Sequence, residues 1–306
     1  MFRSYGLRLG YKNVKGARSA TKSTSKSQTS FVLGYLSRND CQRGRSVKCK
    51  CVFWLSNWTN WRLGLPQKKS RPPASGGKIT GSEQFKVNSE ILAYGTVNFG
   101  TRTGHAYLVD PKHLLFNLSR YKFVSKMLAG MDNVLEVGCG DGFGSALVRQ
   151  TVSKLTATDL DARFVEQTSK CHPYASKIKF LAHNLIDGPV PGKFDGAFCL
   201  DVLEHIDQKL EHQFVANLAA SLRTNAVCIF GMPSLESQIY ASELSKLGHV
   251  NCKTAPELRS CMSSHFRNVF IFSMNDEVLH TGFHPMSHYL FALCVSPRRT
   301  IRRKQS

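Results

Sequence analysis

The sequence predicts an α/β fold: a doubly wound, seven-stranded sheet ending in an antiparallel hairpin, preceded by a basic segment read as disordered or as a targeting signal. Three observations carry this prediction. Asn133 to Gly142 reads as a short apolar strand running straight into three alternate glycines, Gly138, Gly140 and Gly142. That is the signature of a buried parallel strand whose end lets a ligand approach bare backbone. Leu155 to Leu160 is a second strand that carries a carboxylate, Asp159, 21 positions after Gly138. Doubly wound nucleotide-binding folds place a ribose-gripping acid at that distance. Downstream, apolar strand-like runs alternate with helical stretches, the order expected of a parallel sheet.

The elements follow in order. Pro111 to Gly130 is a helix, with Leu114, Leu118, Tyr121, Val124 and Leu128 at intervals of three and four and Gly130 as the stop. After the first two strands, Ile178 to Ala182 is the third and Phe194 to Leu200 the fourth, continuing into Asp201-Val-Leu-Glu-His-Ile206. Ala226 to Met232 is the fifth. A helix is expected from Glu236 to Leu247. Thr254-Ala-Pro-Glu257 is a capping box with Pro in the first turn, opening a helix that runs to Phe266. Asn268 to Met274 and Tyr289 to Val295 are the sixth and seventh strands, flanking a long loop. That loop holds His280, His284 and His288, but Gly282 and Pro285 argue against the helix that would gather them on one face. No metal site is expected.

The glycine pattern discriminates between ligands. A dinucleotide fingerprint needs a third glycine that falls here on Phe143 or Ser145, and no Gly-Lys-Ser/Thr follows for a phosphate loop. What remains is Glu-x-Gly-x-Gly-x-Gly. With this motif, the acid at Asp159, His183-Asn-Leu185 after the third strand, and the Phe-Asp…Asp-Val-Leu-Glu-His-Ile run, the chain resembles the class I S-adenosylmethionine-dependent methyltransferases. The similarity covers about residues 110 to 295 and is greatest to those acting on small molecules, including the ubiquinone-biosynthesis O-methyltransferases. It implies a Rossmann-like domain that binds S-adenosyl-L-methionine through Arg120, Glu136, Gly138, Cys139, Gly140, Asp159, Leu160, Asn184, Leu185, Leu200 and Asp201. In this reading Asn184 meets the adenine edge and Arg120 the methionine carboxylate. A solvated Arg120 on the exposed helix face is the alternative.

Charge and composition narrow the partners. The 306 residues carry a net charge of +20, but 17 Lys and Arg against one acid lie in residues 1–82, and five more close the chain. The intervening core holds 19 bases and 20 acids. It has no basic surplus with which to hold a phosphate backbone. The expected partner is therefore a small-molecule acceptor, not nucleic acid. The ten cysteines are scattered, several in apolar strands, which suits a reducing compartment better than a disulfide framework. No apolar run reaches bilayer length. The expected location is cytoplasmic, or mitochondrial if the Ser-, Thr-, Lys- and Arg-rich, acid-free stretch at 1–30 is a presequence. Residues 31–82 add Cys41, Cys49 and Cys51, one ligand short of a zinc site, and Trp54, Trp58 and Trp61 at helical spacing. Residues 68–77 read as linker. The expected division is thus 1–82 as basic N-terminal segment, 83–110 as lead-in, 111–296 as methyltransferase domain and 297–306 as basic tail.

Methyl transfer from a sulfonium is an in-line displacement, for which positioning supplies most of the acceleration. If the acceptor is a hydroxyl, a base near neutral pKa helps; His205 and His249 are candidates, and no catalytic residue is assigned. The chain lacks Asn/Asp-Pro-Pro-Tyr/Phe after the fourth strand, the mark of amino-group methylation on bases, and lacks a Pro-Cys nucleophile. A hydroxyl of a small molecule is the preferred acceptor. The alternatives are an RNA methyltransferase using the basic ends and a non-catalytic, cofactor-binding scaffold.

Overall fold

The structure, a computed structural model, describes residues 81–93 and 95–298. The presequence-like stretch, the tryptophans, the linker and the last eight residues lie outside the described residues. Three helices lead in: α1 (Gly81–Ala93), α2 (Thr101–Val109) and α3 (Lys112–Met127). The α/β domain follows as β1 (Asn133–Val137), α4 (Ser145–Arg149), β2 (Lys154–Asp159), α5 (Ala162–Cys171), β3 (Lys179–Ala182), β4 (Phe194–Leu200), α6 (Glu211–Ser221) and β5 (Leu222–Pro233). It is completed by α7 (Glu243–Gly248), α8 (Ala255–His265), β6 (Phe266–Asn275), β7 (Val278–His280) and β8 (Tyr289–Pro297). Among the described residues no helix is long and apolar enough to cross a membrane.

The sheet order is β3-β2-β1-β4-β5-β8-β6-β7. The first five strands are parallel, while β8 runs antiparallel between β5 and β6. The doubly wound sheet and terminal hairpin are those the sequence predicts, with one correction: the described residues form eight strands, not seven. The segment from Asn275 to His288 doubles back, so that Asn275 pairs with Val278 and Ser273 with His280. Three residues suffice because β7 is an edge strand with one neighbour. The helix expected over Glu236–Leu247 is also corrected. A 3₁₀ turn spans Glu236–Tyr240, Ala241 is extended, and Ser242 starts α7 afresh by accepting the Ser245 amide. A side chain that caps a new helix competes with continuation of the old one. Neither α1 nor α2 was predicted.

Burial explains the layering. Val134 and Leu135 on β1 point to opposite faces and are both fully buried, as are Ala197 and Phe198 on β4. Each face therefore needs its own helical cover. On one side α3 packs Tyr121, Val124 and Leu128 against Val134 and Phe198. On the other, α6 and α8 bring Phe214, Leu218, Leu258 and Met262 against Leu135, Phe230 and Leu290. Burial of each such side chain stabilises by about 1.5–3 kcal/mol.

The capping box of α8 forms as the sequence predicts: Thr254 accepts the Glu257 amide, and the Glu257 carboxylate accepts the Thr254 N–H at 2.8 Å. Thr254→Ala is expected to cost about 1 kcal/mol in urea denaturation, the usual worth of such a cap.

Candidate active site

The strand order reverses between β1 and β4, which places a crevice beyond their carboxyl ends. A cavity of about 440 Å³ opens there. One wall is the glycine turn after β1, represented by Gly138, Cys139 and Gly140, and another is the end of β4, Leu200 and Asp201. The inner face of α3 contributes Leu114, Asn117, Arg120 and Tyr121, of which Tyr121 also belongs to the core with Val124 and Leu128. Glu204, His205 and His249 form the far end.

The glycines are dictated by the turn. Gly138 has φ +80°, and a Cβ on it would lie 2.1 Å from a methyl of Val202. Gly140 has φ +53°, but a Cβ there would meet only the Arg102 side chain, 3.6 Å away. Gly138 is thus required by packing within the protein, whereas Gly140 faces the space a ligand would occupy. The turn is tied down by Asp159, whose Oδ2 accepts the Gly140 N–H at 2.8 Å while Oδ1 accepts that of Asp161 at 2.9 Å. A second carboxylate, Asp141, accepts the Thr103 amide and hydroxyl at 2.8 and 2.9 Å. It thereby holds the first turn of α2 over the glycines, a tether that no sequence pattern in the lead-in segment announced.

The other implied cofactor residues divide. Arg120 is not solvated: Nη1 donates to both oxygens of Asp201 at 3.0 and 2.8 Å, and its guanidinium lies 3.9 Å over the Tyr289 ring. Its Nε, like Asn117 Oδ1, is buried without a partner among the described residues. Asp201 has φ +55°, a strained conformation for a residue with a side chain, held in place by the ion pair and by the hydrogen bond its backbone N–H donates to the Gly231 carbonyl. Leu160 is exposed at the end of β2, Asn184 accepts the Ile186 amide through Oδ1, and Leu185 is buried in the core beneath α6. Glu136 does not line the cavity. It is fully buried under the Tyr121 hydroxyl, which donates to it at 2.9 Å.

Burial raises the Glu136 pKa to about 7, against the lowering pull of its hydrogen bonds. Its folded pKa therefore exceeds its unfolded one. The stabilisation from this proton is complete below about pH 4.5 and is lost as pH rises through about 7. Glu136→Gln, which keeps an acceptor for Tyr121, is expected to remove this pH dependence. By the usual conversion of a pKa shift it should be the more stable protein at pH 8 by up to about 3 kcal/mol. Denaturation curves at pH 5 and pH 8 check both points.

The two histidines weighed as bases are brought together. His205 follows β4 on a 3₁₀ turn, Leu203–His205, and His249 follows α7; their ring centroids are 5.2 Å apart. The join is made by backbone: the Asn251 N–H donates to the Glu204 carbonyl. The segment is anchored below by Lys253, which is buried and ion-paired with Glu211 at 2.7 Å. His205 Nδ1 faces the Gly248 carbonyl at 2.8 Å. His249 Nδ1 faces Gln238 Oε1 at 2.8 Å, an orientation of the amide set by Gln238 Nε2 donating to the Ser234 carbonyl. Both acceptors leave the proton on Nδ1 and a lone pair on Nε2. Burial, then the neighbouring His205, lowers the His249 pKa and keeps its ring neutral. Beside them Glu204 is buried, and among the described residues neither oxygen of its carboxyl group has a partner.

The three loop histidines take separate partners. His280 bonds Asn275, His284 bonds Ser273, and His288 accepts the Asp276 amide.

Comparison with known proteins accords with this geometry. Residues 134–225 match the family model described as a methyltransferase domain. The chloroplastic magnesium protoporphyrin IX methyltransferase of Arabidopsis thaliana is 30% identical over 156 residues, covering 49% of this chain and 47% of that protein. A probable S-adenosylmethionine-dependent methyltransferase of Mycolicibacterium smegmatis is 29% identical over 116 residues, covering 37% of this chain and 42% of the relative. The chain thus spans less than half the length of these relatives. Among solved structures, the methyltransferase domain of bacterial-CtHen1-C shares the fold, with a TM-score of 0.50 at 16% identity, over 60% of this chain and all of that one.

Proposed function

We propose, for a chain that carries a class I S-adenosylmethionine-dependent methyltransferase domain, that it methylates a hydroxyl of a small-molecule acceptor held in the cavity between the glycine turn and the His205–His249 pair. The observation that carries this reading is that one cavity is lined by both. One end presents bare backbone at Gly140 and two partnerless polar atoms, Arg120 Nε and Asn117 Oδ1. A buried donor and acceptor fit the carboxylate and ammonium of the cofactor's amino-acid part, and Asp159 at the end of β2 suits a ribose diol. Cys139, Leu200 and Asp201 would line that site, Leu160 and Asn184 lie at the strand ends where an adenine would rest, and Leu185 and Glu136 support it from within the core. Bound there, S-adenosylmethionine supplies a methyl group on a good leaving group.

The other end handles the acceptor. A hydroxyl that gains a methyl must lose its proton, and Glu204, His205 and His249 offer a carboxylate and two imidazole lone pairs to stabilise that loss. A partly open cavity of about 440 Å³ suits a small molecule. We place the transferring domain at residues 111–296, with 83–110 supplying the α2 cover. Incubation of the full chain with isotopically labelled S-adenosylmethionine and a metabolite extract, followed by product mass analysis, tests the proposal. An O-methylated small molecule is the expected product; label that enters no small molecule, but does enter RNA offered in a parallel incubation, would overturn it.

A further inference from the structure

Glu204 poses a chemical problem that the methyltransferase reading leaves open. It is 1% exposed, and among the described residues neither oxygen of its carboxyl group has a hydrogen-bond partner. Buried carboxylates are ordinarily paired, hydrogen-bonded or bound to a metal. The nearby cation, Arg120, is committed to Asp201 and to the Tyr289 ring. What Glu204 does face is the histidine pair: one ligand-capable atom from each of Glu204, His205 and His249 lies within 4.8 Å of the other two. Both rings have their Nδ1 turned to a fixed oxygen, Gly248 O for His205 and Gln238 Oε1 for His249. Metal-binding histidines are oriented in this way, with the outer nitrogen donating to a carbonyl so that the inner one presents its lone pair.

We infer that Glu204, His205 and His249 form a binding site for a divalent transition-metal ion at the acceptor end of the cavity. The donor set defines the class of ion. Two imidazole nitrogens and one carboxylate suit zinc, cobalt, iron or manganese; magnesium and calcium prefer sites built wholly of oxygen. Three protein ligands on a cavity wall leave coordination positions open for an acceptor oxygen. The sequence conceals this site because its ligands come from two segments more than forty residues apart. They are joined only when the Asn251 amide closes on the Glu204 carbonyl and Lys253 docks on Glu211. The histidine-rich loop that spacing highlights is excluded by its own hydrogen bonds, with both ring nitrogens of His280 taken by Asn275 and the Gly282 amide.

The inference concerns the acceptor end assigned above, but its test reads metal, not methyl transfer, so either can fail alone. The full chain, stripped with a chelator, is titrated with Co²⁺ and followed by calorimetry and visible absorption, with S-adenosylhomocysteine affinity measured on the same samples. The expected result is one Co²⁺ ion that the wild type binds and that is lost in His249→Ala and in the double variant His205→Ala/His249→Ala. Excess Mg²⁺ should not displace it, His284→Ala should keep it, and S-adenosylhomocysteine affinity should stay within a few-fold throughout. Glu204→Gln, which is nearly isosteric, should weaken the same ion about tenfold or more and serves if the histidine variants fail to fold. Equal Co²⁺ uptake by the wild type and these variants, or none by the wild type, overturns the site.

Discussion

Asp159→Ala is expected to weaken S-adenosylmethionine binding at least tenfold and to lower the melting temperature as well. Two hydrogen bonds from ribose hydroxyls to a charged acceptor are worth about 1.5–3 kcal/mol each, which sets the first effect. The second arises because the same carboxylate accepts the Gly140 and Asp161 amides at 2.8 and 2.9 Å, so its loss also leaves the glycine turn untethered. A buried N–H deprived of its acceptor costs about 1–3 kcal/mol. Calorimetry and thermal denaturation separate the two contributions. Unchanged affinity would remove Asp159 from the cofactor site even if the melting temperature fell. NAD should give no heat in the same cell, since the position that would have to be the third fingerprint glycine is Phe143 or Ser145.

How much of this was legible in the sequence depends on how local each determinant is. β4, Phe194–Leu200, matches the predicted strand residue for residue, because an apolar run bounded by turn signals needs no partner to be recognised. The capping box at Thr254 is similarly self-contained. The glycine motif was legible as a motif but not in its division of labour. Gly138 answers to Val202 and Gly140 to the cavity, a distinction set by the β4–α6 connection and invisible from spacing. Glu136 likewise belongs to the motif yet faces Tyr121 on α3, not the cavity. α2 has no buried residues of its own and is held by Asp141, so no apolar stripe marks it as a helix. Tyr289, the ring beneath Arg120, enters from the antiparallel strand β8 at the far end of the domain. Pairings of this kind come from topology, and only the folded chain states them.

Arg120 should prove the most sensitive position in the cavity wall. Its guanidinium bridges both oxygens of Asp201, covers the Tyr289 ring and stands near Glu204. Removing one partner of a buried ion pair typically costs about 3–5 kcal/mol; because Asp201 is one-third exposed, the lower end applies to Arg120→Ala. The cost should depend on pH in a defined direction. Glu204 already has its pKa raised, by burial first and by Asp201 second, and Arg120 pulls it down. Without Arg120 it rises further, so the folded variant takes up a proton that the unfolded chain releases. Stability from that proton is present below the ordinary carboxylate pKa and is lost as pH rises through the raised folded value. The deficit relative to wild type should therefore grow as pH rises and shrink toward acid. Adding Glu204→Gln to Arg120→Ala should recover part of the loss at the alkaline end of the range and none of it at the acid end. Equilibrium denaturation of the wild type and both variants across this range provides the comparison. A deficit that is the same at every pH would assign the role of Arg120 to packing on Tyr289 alone, with the neighbouring carboxylates indifferent to its charge.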